Sequence, residues 1–406
     1  CDAMGQVDAA DAAACIGALQ LLPEDASALL RLEVASAAAA GGAPERGRSA
    51  TPQRVTRILR HPYLEQVVAP QEDPYDDVVV EAARFHGGIA LASSGLARDA
   101  VFVLGMLTTA LNFSIEPRLP RDYVDSVNAL GMAALRLSDW VLRTAKLERN
   151  QLPVFKGPSI HIPGPARLSQ LKRTVSFTHE DIDALLAPAG LDHRALDPIT
   201  QEFGGSPITS ANEMSVVGRP IVRFGDRFIL VSPLGIVNAV RYQILRQATA
   251  AGLGAALSQR FHEAVIRQVG ASLREMGMAP LDFTPSTESV SHFSEAFFKH
   301  DDDKVAYCQI VTEDLAAYDG DRVHIEWNRP DLMDGLLARQ ATVAEEVRCA
   351  LPGCVVMTLR AFQPAGGESV ALSGEGAHKS SQGGDRLDLS LDLDLTAAEL
   401  DVLATI

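Results

Sequence analysis

Apolar positions along the first third of the chain recur every three to four residues, which is the signature of helix. AADAAACIGALQLL runs to Pro23, and PEDASALLRLEVASAAAA follows with a proline and two acids suited to a helix start. In TPQRVTRILRHP, Thr51 offers a cap and Pro52 a first helical residue, with Val55, Ile58 and Leu59 on one face. The pattern changes in DPYDDVVVEAARFHGGIALASSG, which reads as strand material broken at Gly87-Gly88. It returns to helix over Asp99 to Phe113 and Arg121 to Leu147. In the second of these, Val124, Val127, Leu130, Ala134, Leu137 and Val141 form one stripe.

Punctuation governs the middle. QLPVFKGPSIHIPGP (151–165) is a connector. SFTHEDIDALLAPAG predicts a helix capped by Thr178, with Asp181 three residues on, and stopped by Pro188 and Gly190. RPIVRFGDRFILVSP (219–233) predicts a hairpin turning at Gly225-Asp226. From Ile236 to about Met278 the helical rhythm resumes, interrupted near Gly252 and Gly254. Then come LDFTPS, the paired strands of FFKHDDDKVAYCQIV, a helix around Leu336 to Cys349, and the strand CVVMTLRAF. Strand and helix alternate here, and the strands are apolar throughout, as in sheets covered on both faces. LDLSLDLDL alternates strictly, with Asp388, Ser390, Asp392 and Asp394 on one side.

The fold class expected is therefore α/β, or α+β over the whole chain: an α-rich N-terminal region followed by a small α/β domain with a mixed sheet. The boundaries expected are 1–175 for the α-rich region, with a mobile linker near 41–52, and 176–250 for connecting helices and the hairpin. An α/β domain over 251–372 follows, then a loop, a strand and the start of a helix over 373–406. The chain opens at Cys1 and stops within a helical pattern, so a fragment of a longer protein is expected.

Composition narrows the function classes. Lys plus Arg number 36 against 52 Asp plus Glu, a formal charge of −16. Such a chain repels phosphate backbones at long range, which disfavours nucleic acid as a partner. Five irregularly spaced cysteines suit free thiols in a reducing cytoplasm. The most apolar window, Ala100 to Phe113, is too short to span a bilayer. The abundance of Ala, Gly, Arg and Asp suits a bacterial, GC-rich source.

Familiar catalytic signatures are missing: there is no GxSxG, HExxH or GxGxxG. Lys379-Ser380 follows glycines, but His378 stands where a phosphate loop needs glycine. Cys349 and Cys354 lack the second close pair a structural zinc requires, although Cys308 and His324 are candidates to complete it. His300 with Asp301, Asp302 and Asp303 could hold a divalent ion, yet turns favour such residues without one.

The order of elements from Gln259 to Phe362 resembles the restriction-endonuclease-like fold, the PD-(D/E)xK superfamily with its nuclease-related (NERD-like) members. The resemblance covers about a quarter of the chain. It implies a leading helix carrying Glu263, a strand carrying Glu295, and Gln309 and Val311 at the positions of the family's strand acid and lysine. Under that reading Glu263, Glu295 and Gln309 would be catalytic and Mg²⁺ would be the cofactor. Glu295 and Asp303 would be metal ligands in a rearranged site. Lys299 or Lys304, expected to face solvent at the turn, would replace the lysine. The departures matter chemically: glutamine is a poor ligand for a hard cation, and valine offers no charge. On α-helical spacing Glu263 also lies away from the apolar stripe of Val265, Ile266, Val269, Leu273 and Met276, while His262 lies on the buried side as a hydrogen-bonded core residue. The function expected is a non-catalytic, nuclease-fold-like structural or interaction module of a larger intracellular protein, without cofactor. The alternatives are a metal-dependent nuclease with a rearranged site and a small-ligand binding protein.

Overall fold

The computed structural model describes residues 8–21, 51, 80–85, 88–93, 100–146, 163–203, 218–286, 293–301, 303–315, 330–363, 392–396, 400 and 404. The linker near 41–52, the helix expected after Thr51, His324 and the Lys379-Ser380 stretch lie outside these residues, apart from Thr51 itself. The mixed α/β class expected from the sequence is what the chain adopts: helices dominate the N-terminal part, and mixed sheets are present. Contacts divide the chain into two units. The first comprises 1–105, 119–251 and 319–324; the second comprises 106–118, 252–318 and 325–406.

In the first unit, α1 (Ala9–Gln20) is buried almost all round, as its alanine-rich sequence permits. Asp8 caps it by accepting from Asp11 N. Strands β1 (Val80–Phe85) and β2 (Gly88–Ser93) pair antiparallel on either side of the predicted Gly87-Gly88 break. Helix α2 (Ala100–Asn112), which belongs to the second unit from Met106 on, is followed by α3 (Arg121–Thr144) of the first, whose stripe of Val127, Leu130, Ala134, Leu137 and Val141 is buried. Helix α4 (Pro165–Thr174) leads into β3 (Ser176–Thr178) and α5 (His179–Leu186). Thr178 and Asp181 close the predicted capping box, each satisfying a backbone N–H that the helix cannot. The hairpin turning at Gly225-Asp226 is present as β5 (Ile221–Phe224) and β6 (Arg227–Leu230). The sequence suggested no more than this hairpin, yet it forms the centre of a four-stranded mixed sheet. Strand β3 joins it antiparallel on β6, and β4 (Thr200–Glu202) joins parallel on β5. Three-residue strands carry too little periodicity to be read from sequence. Helix α6 (Ile236–Ala250) packs on α3, where Tyr123 donates its hydroxyl to Ile244 O at 2.9 Å.

Helix α1 lies against β6 so closely that a Cβ on Gly17 would fall inside the contact distance of the Leu230 carbonyl oxygen. Backbone cannot swing aside as a side chain can. Gly17→Ala is therefore expected to destabilise by about 1–3 kcal/mol, read as a lower urea midpoint. An unchanged midpoint would show that the helix can retreat without loss.

The second unit is built on a five-stranded sheet in the order β11-β10-β9-β8-β7. Helix α7 (Gly254–Glu275) precedes β7 (Ala279–Pro280), β8 (Phe293–Asp301) and β9 (Lys304–Thr312), which run antiparallel to their neighbours in turn. Helix α8 (Pro330–Ala350) leads to β10 (Val355–Gln363), parallel to β9, and β11 (Asp392–Thr396) adds parallel on β10. The break between α6 and α7 falls at Gly252, whose φ of 68° is the left-handed conformation glycine adopts without steric penalty. From Val305 to Thr312 every residue of β9 is buried, because α7 covers one face of the sheet and α8 the other.

Consecutive strand residues point to opposite faces, and register partners share one. Val343, Ala344 and Val347 of α8 pack with Phe297, Val305, Tyr307 and Val356, which defines the α8 face. On the other face, His262 of α7 meets Ser294 and Thr312. Also from α7, Arg260 (2% exposed) reaches five carbonyls around the end of α2. Its Nε donates to Ala110 O at 2.6 Å. Its Nη1 donates to Ile115 O at 2.6 Å and Pro117 O at 3.0 Å, and its Nη2 to Leu111 O at 3.4 Å and to Phe113 O. The last carbonyls of a helix have no intrahelical donor, and the guanidinium supplies one.

Candidate functional site

One cross-strand row on the α8 face carries the chemistry of the second unit. Glu295 of β8 stands opposite Gln309 of β9, which stands beside Arg360 of β10, and Asp394 of β11 holds the next register position. The sheet thus brings Glu295 and Gln309 together as neighbours. Helix α8 adds Arg339 and Gln340 from above.

Glu295 is held as a bidentate carboxylate. Arg339 Nε donates to its Oε1 at 2.8 Å and Nη2 to its Oε2. The Tyr307 hydroxyl donates to Oε1 as well. The side chains are 7% exposed for Glu295 and 14% for Arg339, so the pair is shielded from water. The hydrogen bond to Glu295 raises the pKa of Arg339 against the opposing effect of burial. Burial pushes the Tyr307 hydroxyl well above its ordinary range, and its bond to Glu295 pushes further the same way. Gln309, fully buried, donates through Nε2 to Tyr307 Oη at 3.1 Å and to Leu336 O at 3.0 Å. Its Oε1 has no hydrogen-bond partner among the described residues. Arg360 donates to Gln340 Oε1. The fork of an arginine fits a carboxylate in two parallel bonds, so Arg339 satisfies both Glu295 oxygens at once.

The other residues singled out by the sequence are elsewhere. Glu263 is on α7, the helix whose His262 binds Ser294 and Thr312, so it belongs with the face opposite Glu295 and Gln309. His262 is bonded through both ring nitrogens, at 2.8 Å to Thr312 Oγ1 and 2.8 Å to Ser294 Oγ. Asp303 is exposed at the β8–β9 turn, where its carbonyl accepts from Val355 N at 2.7 Å. Asp301 at that turn lies six positions beyond Glu295 along β8, or about 20 Å, so Glu295 and Asp303 do not meet. Lys299 and Lys304 are half-buried, less open to solvent than the sequence suggested, and Lys299 stands opposite Ala279 of β7. Met276, expected in the apolar stripe, lies just past the end of α7 and is 37% exposed. Val311 is buried on the α8 face.

Cys308 is fully buried within β9, and burial pushes its thiol up to about 12. Cys349 is exposed at the end of α8. Among the described residues no three or more His, Cys, Asp and Glu side chains are grouped to hold a metal ion. No helix among them is long and apolar enough to cross a membrane. What sequence reasoning missed is Arg339. It lies in a helical stretch rich in charge, and only the register of Glu295 and the placement of α8 single it out. Comparison with protein-family models, with curated proteins and with solved structures gives no match.

Proposed function

We propose that the second unit is a non-catalytic α/β scaffold of nuclease-like layout that serves as a structural or interaction module. One observation carries this reading: the guanidinium of Arg339 grips the carboxylate of Glu295, where the resemblance would place a divalent cation. A strand acid already neutralised by a guanidinium, with three donors on its two oxygens, has neither the net charge nor the open geometry that Mg²⁺ needs. Phosphodiester hydrolysis of the metal-dependent type needs that cation to polarise the phosphate and to generate hydroxide. The separation of Glu263 and Asp303 from Glu295, and the neutral Gln309 beside it, support the same reading. The order of helix, antiparallel strands, helix and parallel strand agrees with the scaffold to which the resemblance points, and the burial of both sheet faces suits a packing role.

The test is a plasmid-cleavage assay with Mg²⁺ or Mn²⁺. No cleavage is expected from the purified chain. Cleavage that disappears in Glu295→Ala would overturn the proposal and restore a metal-dependent nuclease.

A further inference from the structure

Helix α5 of the first unit presents His179 and, four residues later, Asp183 on the same face. After the turn at Gly190 the chain returns to place His193 beside both. Asp183 Oδ1 accepts from the His193 backbone N–H at 2.7 Å and from its ring Nδ1 at 2.8 Å. A carboxylate can only accept, so the proton of the neutral ring sits on Nδ1 and the lone pair on Nε2. The rings of His179 and His193 lie 4.6 Å apart at 83°, and those of His179 and the buried Phe228 4.6 Å apart at 80°. Nε2 of His193 and both ring nitrogens of His179 take no hydrogen bond among the described residues. The His193 side chain is 24% exposed and that of Asp183 43%, so the pair opens to solvent. The bonds to His193 hold the Asp183 carboxyl below its ordinary pKa.

We propose that His179 and His193 form a binding site for a borderline divalent transition ion, of the class of zinc, nickel or copper, with Asp183 orienting His193. Imidazole is the preferred donor for these ions. A ligating histidine characteristically gives its other ring N–H to a carboxylate, which fixes the tautomer and raises the basicity of the ligating nitrogen. The spacing fits. With metal–nitrogen bonds of about 2.0–2.1 Å, two rings that share an ion at an angle of about 90–110° have centres about 4.5–5.2 Å apart. The 4.6 Å found here falls at the lower end of that range. Two protein donors leave the remaining coordination positions to water or to an exogenous ligand, the open kind of site. The buried Phe228 packs against the His179 ring and lies farther, at 6.3 Å, from that of His193. This site is built from the first unit alone and does not depend on the reading of Glu295.

The experiment is calorimetric titration of the full chain with Ni²⁺, with Mg²⁺ as the control. One Ni²⁺ per chain is expected, with no Mg²⁺ binding. His179→Ala and His193→Ala should each weaken Ni²⁺ binding at least about tenfold, and Asp183→Asn by about 10–100-fold, since the asparagine oxygen still accepts the backbone N–H but no longer supports the ring. A melting temperature that Ni²⁺ raises in the parent, but not in His179→Ala, should accompany this. The His179 ring makes no hydrogen bond among the described residues, so that variant remains informative if His193→Ala fails to fold. No Ni²⁺ binding, or binding that His179→Ala leaves unchanged, overturns the proposal. The latter result would assign the ion to the exposed Cys349 or another surface donor.

Discussion

Arg260→Ala is expected to lower the stability of the second unit by about 3–5 kcal/mol, a shift of about 2 M in the urea midpoint. The side chain is 2% exposed and gives its donors to five carbonyls between Ala110 and Pro117. Truncation leaves those carbonyls without their donor, and an unmet buried polar group costs about 1–3 kcal/mol. Several of the five can relax toward water, so the costs do not sum. Domain stabilities of about 5–15 kcal/mol set the scale: the loss is a third of the total or more. Arg260→Lys should recover less than half. Lysine carries three donors on a point charge and cannot match the five N–H directions of a guanidinium. Arg260→Met, which retains volume without donors, separates packing from hydrogen bonding and should resemble alanine. A loss below about 1 kcal/mol for Arg260→Ala would show that the carbonyl cage is already solvated.

Nothing near residue 260 in the sequence announces that role, because its partners lie 143–150 residues away. The features that were legible are local ones. Gly225-Asp226 specifies its hairpin, and Thr178 with Asp181 specifies a helix start; Gly252 marks the break between α6 and α7. Each is set by backbone conformation or capping over a few residues, so a short window contains the cause. Face assignment is a different matter. Helical spacing placed Glu263 away from the apolar stripe, but that Glu295 and Gln309 lie beneath α8 and not beneath α7 depends on which helix covers which face. The pairing of β9 with β10 and the docking of α8 decide this, and both are long-range. The same limit hid β4, which pairs in parallel across 21 residues of chain, and the His179–His193 pair, which only the return of the chain after Gly190 creates. The end of LDLSLDLDL, from Asp392 on, was readable as a strand from its alternation, but its place beside β10, with Asp394 next to Arg360 in register, was not.

Removing the charges of Glu295 and Arg339, singly and together, carries the largest consequence for function. Arg339→Met alone is expected to cost about 3–5 kcal/mol, because it leaves a buried carboxylate without its counter-charge. Glu295→Gln alone should cost a comparable amount by stranding the guanidinium. Glu295→Leu with Arg339→Met and Tyr307→Phe removes the ion pair and its hydroxyl donor together, and Gln309 keeps its bond to Leu336 O. That variant should lie close to the parent or above it, since apolar packing often equals or exceeds a buried ion pair. The pH response adds a sign. In the parent, the pKa of Arg339 is raised by Glu295. A raised cation contributes stability at every pH below its unfolded value and loses it only as pH climbs through the folded value, far above neutrality, so Arg339 brings no pH dependence between 5 and 8. In Arg339→Met the stranded Glu295 is desolvated and its pKa rises. The folded variant then binds more protons than the unfolded chain, so its stability should increase as pH falls from 7 to 5. Urea midpoints at the two pH values measure this. If Arg339→Met costs less than about 1 kcal/mol and shows no gain at pH 5, the guanidinium is not serving as the internal cation of Glu295, and the observation on which the non-catalytic reading rests is withdrawn.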